Sequence, residues 1–171
     1  KPWWEIARDR ILMPREWFQE MFDYARSKGL IVFSTVNHVE DIDFLLNLNV
    51  DVFKIASIDC NHLPLLKAVA KFNTPLIISS WMTTLKYIDE TVKTLVKAGN
   101  KKLCLLHCVS CYPPSPHIIN LNTMTMFAER YGFPVGYSDH SISNAFSVAA
   151  VALGSCVIEK HITLNRKTKG P

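Results

Sequence analysis

Hydrophobic and polar positions alternate between two periods along the chain. Short, almost continuous apolar runs of strand length occur six times, and such runs are typical of parallel strands that are buried on both faces. The six runs are GLIVFST (29–35), DVFKIAS (51–57), TPLIISS (74–80), KLCLLHC (102–108), FPVGYS (133–138) and SCVIEKHIT (155–163).

Segments with a helical period separate these runs. The segment 14–28 begins with a proline and stops at Gly29, and the segment 84–98 has one apolar face and stops at Gly99. Proline at the start and glycine after the end are the usual boundaries of a helix. Four more helices are predicted over residues 39–48, 62–72, 121–131 and 142–153.

The alternation predicts a βα unit repeated six times, and therefore an α/β fold with a parallel sheet and right-handed crossovers. A doubly wound sheet would carry a glycine-rich phosphate loop after its first strand, and the sequence has none. Instead, polar residues follow the carboxyl ends of the strands, as in a (β/α)₈ TIM barrel. Because a whole barrel takes about 250 residues, residues 1–171 are predicted to form a partial TIM-barrel catalytic domain.

Composition limits the partners of this domain. The 171 residues are 49% hydrophobic with a net charge of +4. The basic residues are scattered and no apolar run reaches the roughly 18 residues of a membrane span, so neither nucleic acid nor a membrane is an expected partner. Five cysteines without a secretory signal indicate a reducing, cytoplasmic setting.

Two neighbouring predicted strands both end in a histidine. His140 follows "PVGYSD" and His161 follows "CVIEK". Strands that are consecutive in the chain commonly pair about 4.8 Å apart, which would bring both imidazoles to one point. Two neutral imidazoles and water suit Mn²⁺, Fe²⁺, Co²⁺ or Zn²⁺. The alternative is that each histidine makes its own hydrogen bonds without a shared partner.

Lys54 lies inside the apolar run "VFKIAS". A lysine buried there requires an anion or a carboxylate. Two interpretations remain open: a phosphate or carboxylate ligand, or an ion pair with Asp59 or Glu159. The serines that follow the strands would add hydroxyl donors around the same mouth, namely Ser57, Ser79, Ser110 and Ser138.

Cys104, Cys108 and Cys111 have the C-x3-C-x2-C spacing of radical-SAM iron–sulfur proteins. However, the first two would lie about 13 Å apart within one strand, which is too far for one cluster. Buried apolar cysteines are therefore the favoured interpretation. The loop "CYPPSPH" (111–117) is predicted to be stiffened by its prolines.

The stretches "GYSDH", "AAVALG", "EKHITL" and "LLHCVSCYP" occur together from about residue 12 to the last residue. In this combination the chain resembles the N-acetylneuraminate (sialic acid) synthase family, which includes the legionaminate, pseudaminate and spore-coat polysaccharide synthases. The resemblance implies a (β/α)₈ barrel followed by a small antifreeze-like domain in a homodimer. The first two strands and that last domain are expected to be absent from these 171 residues, which are therefore expected to be inactive alone.

The resemblance also implies a reaction and a set of site residues. Members condense phosphoenolpyruvate with an N-acylhexosamine such as N-acetylmannosamine, yielding a nine-carbon 2-keto-3-deoxy acid and phosphate. His140 and His161 match the ligands of a divalent metal, usually Mn²⁺, with Mg²⁺ or Co²⁺ as alternatives. The positions around phosphoenolpyruvate match Thr35, Lys54, Ser57, Ser79, Ser110 and Ser138. Positions that line the sugar or support the site match Asp59, His107, Tyr112 and Asp139.

The chain departs from the family pattern at two glycine positions of the site, where it has Ile58 and Trp81. Bulky side chains there would reduce the space for a ligand. Two alternatives to the sialic-acid-type reaction follow: a related phosphoenolpyruvate-dependent synthase that acts on a sugar phosphate, and a degenerate barrel that only binds a ligand or a partner.

Overall fold

A five-stranded parallel sheet forms the centre of the protein. The computed structural model describes residues 13–81 and 83–167. The strands stand in chain order, β1-β2-β3-β4-β5, and every neighbouring pair is parallel. Their bounds are β1 Phe53–Ile55, β2 Leu76–Ser80, β3 Leu103–Cys108, β4 Val135–Asp139 and β5 Val157–Lys160.

Helices connect the strands, and all six predicted helices are confirmed with slightly shorter bounds. They are α1 Trp17–Ser27, α2 Asp41–Asn47, α3 Leu63–Ala70, α4 Leu85–Lys97, α6 Asn122–Tyr131 and α7 Ala145–Ala152. The short helix α5, Pro116–Ile119, and a 3₁₀ turn, Ser57–Asp59, were not predicted. Gly99 and Gly132 follow α4 and α6 with φ of 95° and 68°, a conformation that glycine adopts without strain.

The first predicted strand, GLIVFST, does not form. In this segment only Thr35 pairs with the sheet, through an isolated parallel bridge to Lys54. Leu30 and Ile31 are 60% and 74% exposed, so the apolar run is not packed on both faces. Since β1 itself has only three residues, it offers too short an edge for a longer ladder. Of the six strands predicted for the βα units, five form, and the first is replaced by a single isolated bridge.

The strands β1 to β4 are buried on both faces, which explains why their sequences are almost continuously apolar. Gly136 in β4 allows the closest approach, because a Cβ there would lie 2.5 Å from both Leu106 Cδ2 and Val157 O. The largest side chains of the core include Phe53, Leu65, Leu76, Leu95, Phe127 and Tyr137. None of the helices formed by the described residues has the length and apolar character of a membrane-spanning segment.

Candidate active site

A cavity of about 290 Å³ opens at the carboxyl ends of the strands. This is the edge at which parallel α/β proteins collect their functional side chains. Most of the residues predicted from the strand ends lie here. The lining consists of Thr35, Lys54, Ala56, Ser57, Ser79, Cys108, Tyr112, Ser138, His140, Glu159, Lys160 and His161.

Lys54 provides the buried positive charge of the cavity. The residue is 7% exposed, and its Nζ donates to Ser79 Oγ at 2.7 Å and to the Ile55 carbonyl at 3.2 Å. Its Nζ also lies 3.4 Å from Glu159 Oε2. Of the two carboxylates considered from the sequence, Glu159 is therefore the partner. The same ammonium still faces a cavity with hydroxyl groups, so the ion pair and an anion site are compatible.

Hydroxyl groups surround the lysine. Ser57 Oγ and Ser110 Oγ lie 3.3 Å apart although they follow different strands. Ser138 donates to Glu159 Oε1 at 2.5 Å, which ties the end of β4 to the end of β5. Hydroxyl groups can donate to phosphate or carboxylate oxygens in place of these partners.

His140 and His161 come together as the spacing predicted. Their ring centroids are 5.3 Å apart, and the Tyr112 ring stacks on His140 at 4.3 Å. His140 Nδ1 lies 2.9 Å from the Val109 carbonyl, so Nδ1 carries the proton and donates it. Burial and the nearby His161 lower the pKa of His140, against the opposing effect of that carbonyl. The neutral imidazole then has its lone pair on Nε2, 3.4 Å from Ser138 Oγ, whose proton is donated to Glu159. This is the form of histidine that binds a metal.

Asp139 lies beside this cavity rather than in it. Its side chain is fully buried and accepts hydrogen bonds from Lys160 Nζ at 2.8 Å, from Ser147 Oγ at 2.5 Å and from the Ser141 amide at 2.8 Å. Burial alone would raise the pKa of Asp139, but these donors outweigh it and lower the pKa. Asp139 is thus an ionised carboxylate that supports the end of β4.

Besides Asp139, three predicted site residues are absent from the described lining, namely Ser110, Asp59 and His107. Ser110 nevertheless contacts the lining through Ser57. Asp59 ends the 3₁₀ turn and is absent from the lining formed by the described residues. His107 lines a separate cavity of about 560 Å³, in which its Nε2 donates to the Ile119 carbonyl at 2.6 Å. Burial lowers the pKa of His107 despite that hydrogen bond. The structure therefore does not bring His107 together with Lys54.

The two bulky residues that replace glycines of the family pattern, Ile58 and Trp81, lie outside the cavity around Lys54. Trp81 lines the separate cavity with His107, and Ile58 is 75% exposed on the 3₁₀ turn. Neither side chain is among the described residues that line the cavity around Lys54. The space at the candidate site is therefore not reduced by these two residues. Met82 lies outside the described residues.

The cysteines do not form the arrangement of an iron–sulfur site. Cys104 and Cys108 both belong to β3, and all five cysteines are free thiols. Burial, together with the neighbouring Cys156, raises the pKa of Cys104 to about 12. Within residues 13–81 and 83–167, no three His, Cys, Asp or Glu side chains are grouped to hold a metal. Among the described residues, the histidine pair is therefore not joined by a third side chain of these types.

The sequence analysis named Glu159 only as an ion-pair partner considered for Lys54 and gave Lys160 no role, although both lie at the end of β5. The signal was a carboxylate and an ammonium at the end of an apolar strand, where each requires a partner. The register supplies these partners, since Ser138 pairs with Glu159 and Asp139 pairs with Lys160.

A parallel α/β sheet with a lysine, hydroxyls and two histidines at the carboxyl ends of its strands fits a partial TIM barrel. The model of the NeuB family matches residues 5–171. The chain belongs to the NeuB family.

Several relatives carry activities in their names. The chain is 39% identical to the N,N'-diacetyllegionaminic acid synthase of Campylobacter jejuni over 90% of this chain and 46% of that protein. It is 38% identical to the human N-acetylneuraminate-9-phosphate synthase over 90% and 43% of the two chains. The crystal structure of the spore coat polysaccharide biosynthesis protein SpsE from Bacillus subtilis matches with a TM-score of 0.87 and 39% identity, covering 91% of this chain and 44% of that one.

The chain thus spans about half the length, or less, of the relatives that it matches. The likeness to SpsE confirms the α/β fold, and a partial TIM barrel fits the extent of the match. The resemblance found in the sequence motifs is confirmed as well, because the matched family includes sialic-acid, legionaminic-acid and spore-coat polysaccharide synthases.

Proposed function

We propose that the protein condenses phosphoenolpyruvate with an N-acylhexosamine, such as N-acetylmannosamine, to give a nine-carbon 2-keto-3-deoxy acid and phosphate. The observation that carries this proposal is a nearly buried lysine in a cavity whose rim holds two histidines, in a chain that belongs to the NeuB family. The names of the legionaminic acid and N-acetylneuraminate-9-phosphate synthases supply the type of reaction.

The phosphoenolpyruvate end of the site is formed by Lys54 and the surrounding hydroxyls. The ammonium of Lys54 and the hydroxyl of Ser79 already lie 2.7 Å apart, so both can donate to one anionic oxygen. Ser57 and Ser110 form a second pair of donors at 3.3 Å. Thr35 and Ser138 complete the ring of hydroxyls. Charge-assisted hydrogen bonds of this kind hold phosphate and carboxylate groups.

His140 and His161 would hold a divalent metal, which we propose to be Mn²⁺, with Mg²⁺ or Co²⁺ as alternatives. The residues fit such an ion because the Val109 carbonyl fixes the His140 proton on Nδ1 and leaves the lone pair on Nε2. The charge balance agrees: Lys54 is paired with Glu159, and Lys160 is paired with Asp139, which lies just outside the lining, so these two pairs add no net positive charge for the carboxylate and phosphate groups of phosphoenolpyruvate. When bound, a metal would supply a Lewis acid for the sugar aldehyde.

The residues of this chain would bind and orient the two substrates. Carbon 3 of phosphoenolpyruvate forms the new bond to the aldehyde carbon, and the aldehyde oxygen takes a proton. Water adds to carbon 2, and the bond from carbon 2 to the phosphate oxygen breaks, releasing phosphate. Lys54 and the hydroxyls stabilise the anionic groups during these steps. Asp139 would support the end of β4; it does not line the cavity around Lys54, but it borders a depression beside the histidines.

The sugar would occupy a second depression next to the histidines. This depression of about 580 Å³ is bordered by Tyr112, Pro113, Ile142 and the two histidines, and also by Asp139, Ser141 and Lys160. Tyr112 is 53% exposed and Ile142 is 74% exposed, so both offer apolar surface to an N-acyl group. The human relative is an N-acetylneuraminate-9-phosphate synthase, which favours a second candidate substrate, a hexosamine that carries a 6-phosphate.

The test is an assay of phosphate release by the full-length protein. Phosphoenolpyruvate is offered with a panel of hexosamines, with and without a 6-phosphate, in the presence of Mn²⁺ or a chelator. We expect a hexosamine-dependent release of phosphate that the chelator stops, and a loss of at least about 100-fold in His140→Ala and His161→Ala. His117→Ala is the matched control, because His117 is exposed on α5.

Undiminished turnover in both variants would contradict the metal site, and no release with any hexosamine would favour a barrel that only binds a ligand. The same assay on the 171 residues alone tests whether the missing length is needed. Sedimentation of the full-length protein tests the expected homodimer.

A further inference from the structure

The ends of β4 and β5 carry two similar triplets, Ser138-Asp139-His140 and Glu159-Lys160-His161. The parallel register pairs the first members with each other and the second members with each other. The third members are the two histidines, whose ring centroids are 5.3 Å apart. Because side chains alternate along a strand, Asp139 faces α7, where it accepts from Ser147, while the Lys160 side chain reaches Asp139 and also lines the cavity.

The middle pair, Asp139 and Lys160, is an ion pair with a nitrogen–oxygen distance of 2.8 Å. Its carboxylate is fully buried, while 28% of the lysine side chain is exposed. Asp139 also accepts from Ser147 Oγ in α7 at 2.5 Å. The pair therefore joins three elements: β5, the end of β4, and the helix that follows β4.

Lys160 makes further contacts with the segment that follows His140. Its Nζ donates to the Ser141 carbonyl at 2.8 Å and lies 3.4 Å from the Ser143 carbonyl. One ammonium from β5 thus holds both the side chain before His140 and backbone groups after it. The Ser141 amide in turn donates to Asp139 Oδ1 at 2.8 Å, which closes the turn.

The His140 ring has few fixed contacts of its own. Its Nδ1 donates to the Val109 carbonyl at 2.9 Å, its Nε2 lies 3.4 Å from Ser138 Oγ in β4, and its face stacks on Tyr112, which is itself 53% exposed. Its place relative to His161 therefore depends on the backbone at residues 139–143. A slip of one residue between β4 and β5 would exchange the faces of all these side chains, and the Asp139–Lys160 pair opposes such a slip.

We propose that Lys160, acting through Asp139, is a positioning residue that holds the β4 end in register with β5, so that His140 and His161 converge on one ligand. This inference rests on the proposed two-histidine metal site. Lys160 need not touch the substrates or the metal for this role. A purely structural ion pair would stabilise the protein but would leave the ligand affinity of the histidines unchanged.

The experiment measures Mn²⁺ affinity in the full-length protein by electron paramagnetic resonance of free Mn²⁺, beside the KM for phosphoenolpyruvate and kcat. Lys160→Met should weaken Mn²⁺ binding by about 10–100-fold, the usual effect of removing a group that orients metal ligands. Lys160→Arg should restore most of the affinity, because its guanidinium can reach the same carboxylate. KM at saturating Mn²⁺ should change less than kcat.

Arg130→Met is the matched control. Arg130 forms an ion pair with Asp89 at 2.7 Å between α6 and α4, outside the cavity. We expect wild-type Mn²⁺ affinity in this variant, because it loses an ion pair without changing the β4 and β5 ends.

A second variant covers the case in which Lys160→Met does not fold because Asp139 is left buried without a countercharge. Asp139→Asn with Lys160→Met removes both charges and should fold, with Mn²⁺ affinity still reduced. Wild-type affinity in either folded variant overturns the positioning role while leaving the proposed function intact. No Mn²⁺ binding by the wild-type protein overturns the metal site and this inference together.

Discussion

The ion pair between Lys54 and Glu159 is asymmetric, and this asymmetry leads to a sharp prediction. The lysine side chain is 9% exposed, whereas the glutamate side chain is 40% exposed. Lys54→Met and Glu159→Gln each remove one charge at similar volume. We expect Glu159→Gln to lower the free energy of unfolding more than Lys54→Met does, because it leaves the less exposed of the two charges without its partner.

The magnitudes follow from what each variant leaves behind. Lys54→Met leaves a carboxylate that water reaches and that still accepts from Ser138, so we expect a change in the free energy of unfolding within about 1 kcal/mol. Glu159→Gln leaves a nearly buried ammonium with only Ser79 and the Ile55 carbonyl as acceptors. Its expected cost is larger, about 1–3 kcal/mol.

Ligand binding should show the reverse order. Lys54→Met removes a charge-assisted hydrogen bond worth about 1.5–3 kcal/mol, so the dissociation constant of phosphoenolpyruvate should rise about 10–100-fold. Glu159→Gln removes a negative charge beside the anion and should not weaken binding of this ligand. Urea denaturation gives the stabilities and isothermal titration calorimetry gives the affinities.

Lys93→Met is the control, because Lys93 is an exposed lysine of α4. It should change the free energy of unfolding and the dissociation constant of phosphoenolpyruvate by no more than the loss of any exposed charge does. The reasoning is refuted if Lys54→Met destabilises the protein more than Glu159→Gln does, or if it binds phosphoenolpyruvate as the wild type does. A greater loss of stability in Lys54→Met would contradict the argument from exposure. Unchanged binding of phosphoenolpyruvate would make Lys54 a structural residue only.

Three further predictions concern the scaffold. Gly136→Ala should lower the free energy of unfolding in urea by about 1–3 kcal/mol, since its Cβ would meet the Val157 carbonyl at 2.5 Å; an unchanged midpoint would contradict this. Arg130 lowers the pKa of Asp89 from 3.8 to about 2, so the pair stabilises the protein above pH 3.8 and loses this effect as the pH falls to about 2. Asp89→Asn should flatten the pH dependence of the urea midpoint between pH 2 and 5, and an unchanged slope would argue against the pair. His107→Asn should reduce stability by about 1 kcal/mol with kcat and KM within about threefold, whereas a large loss of kcat would return His107 to the active site.

The strands and helices could be predicted because burial leaves a clear pattern in the sequence. The runs that became β2, β3 and β4 are apolar throughout, and the structure buries them on both faces. The run 29–35 has the same composition but lacks a ladder beyond Thr35. Composition alone records that a segment is apolar, whereas strand formation also requires a neighbour with free hydrogen-bonding groups.

The site residues were harder to predict because the end of a strand does not reveal which face a side chain takes. His107 and Cys108 are consecutive in β3 and both line the separate cavity, in which His107 bonds to Ile119, yet only Cys108 also lines the cavity around Lys54. Alternation likewise keeps Asp139 out of the lining to which Ser138 and His140 belong. The motifs Ser-x-His at the end of β4 and Glu-x-His at the end of β5 could have indicated this alternation. In each motif the first and third residues fall on the same face of the sheet.

The two lysine–carboxylate pairs at this edge differ in one property that assigns them different tasks. Glu159 is 40% exposed, so Lys54 can leave it for an anionic ligand without stranding a buried charge. Asp139 is fully buried, so Lys160 cannot leave it at comparable cost. An exchangeable pair suits ligand binding and a fixed pair suits support of the site. The exposure of each carboxylate therefore separates the binding lysine, Lys54, from the positioning lysine, Lys160.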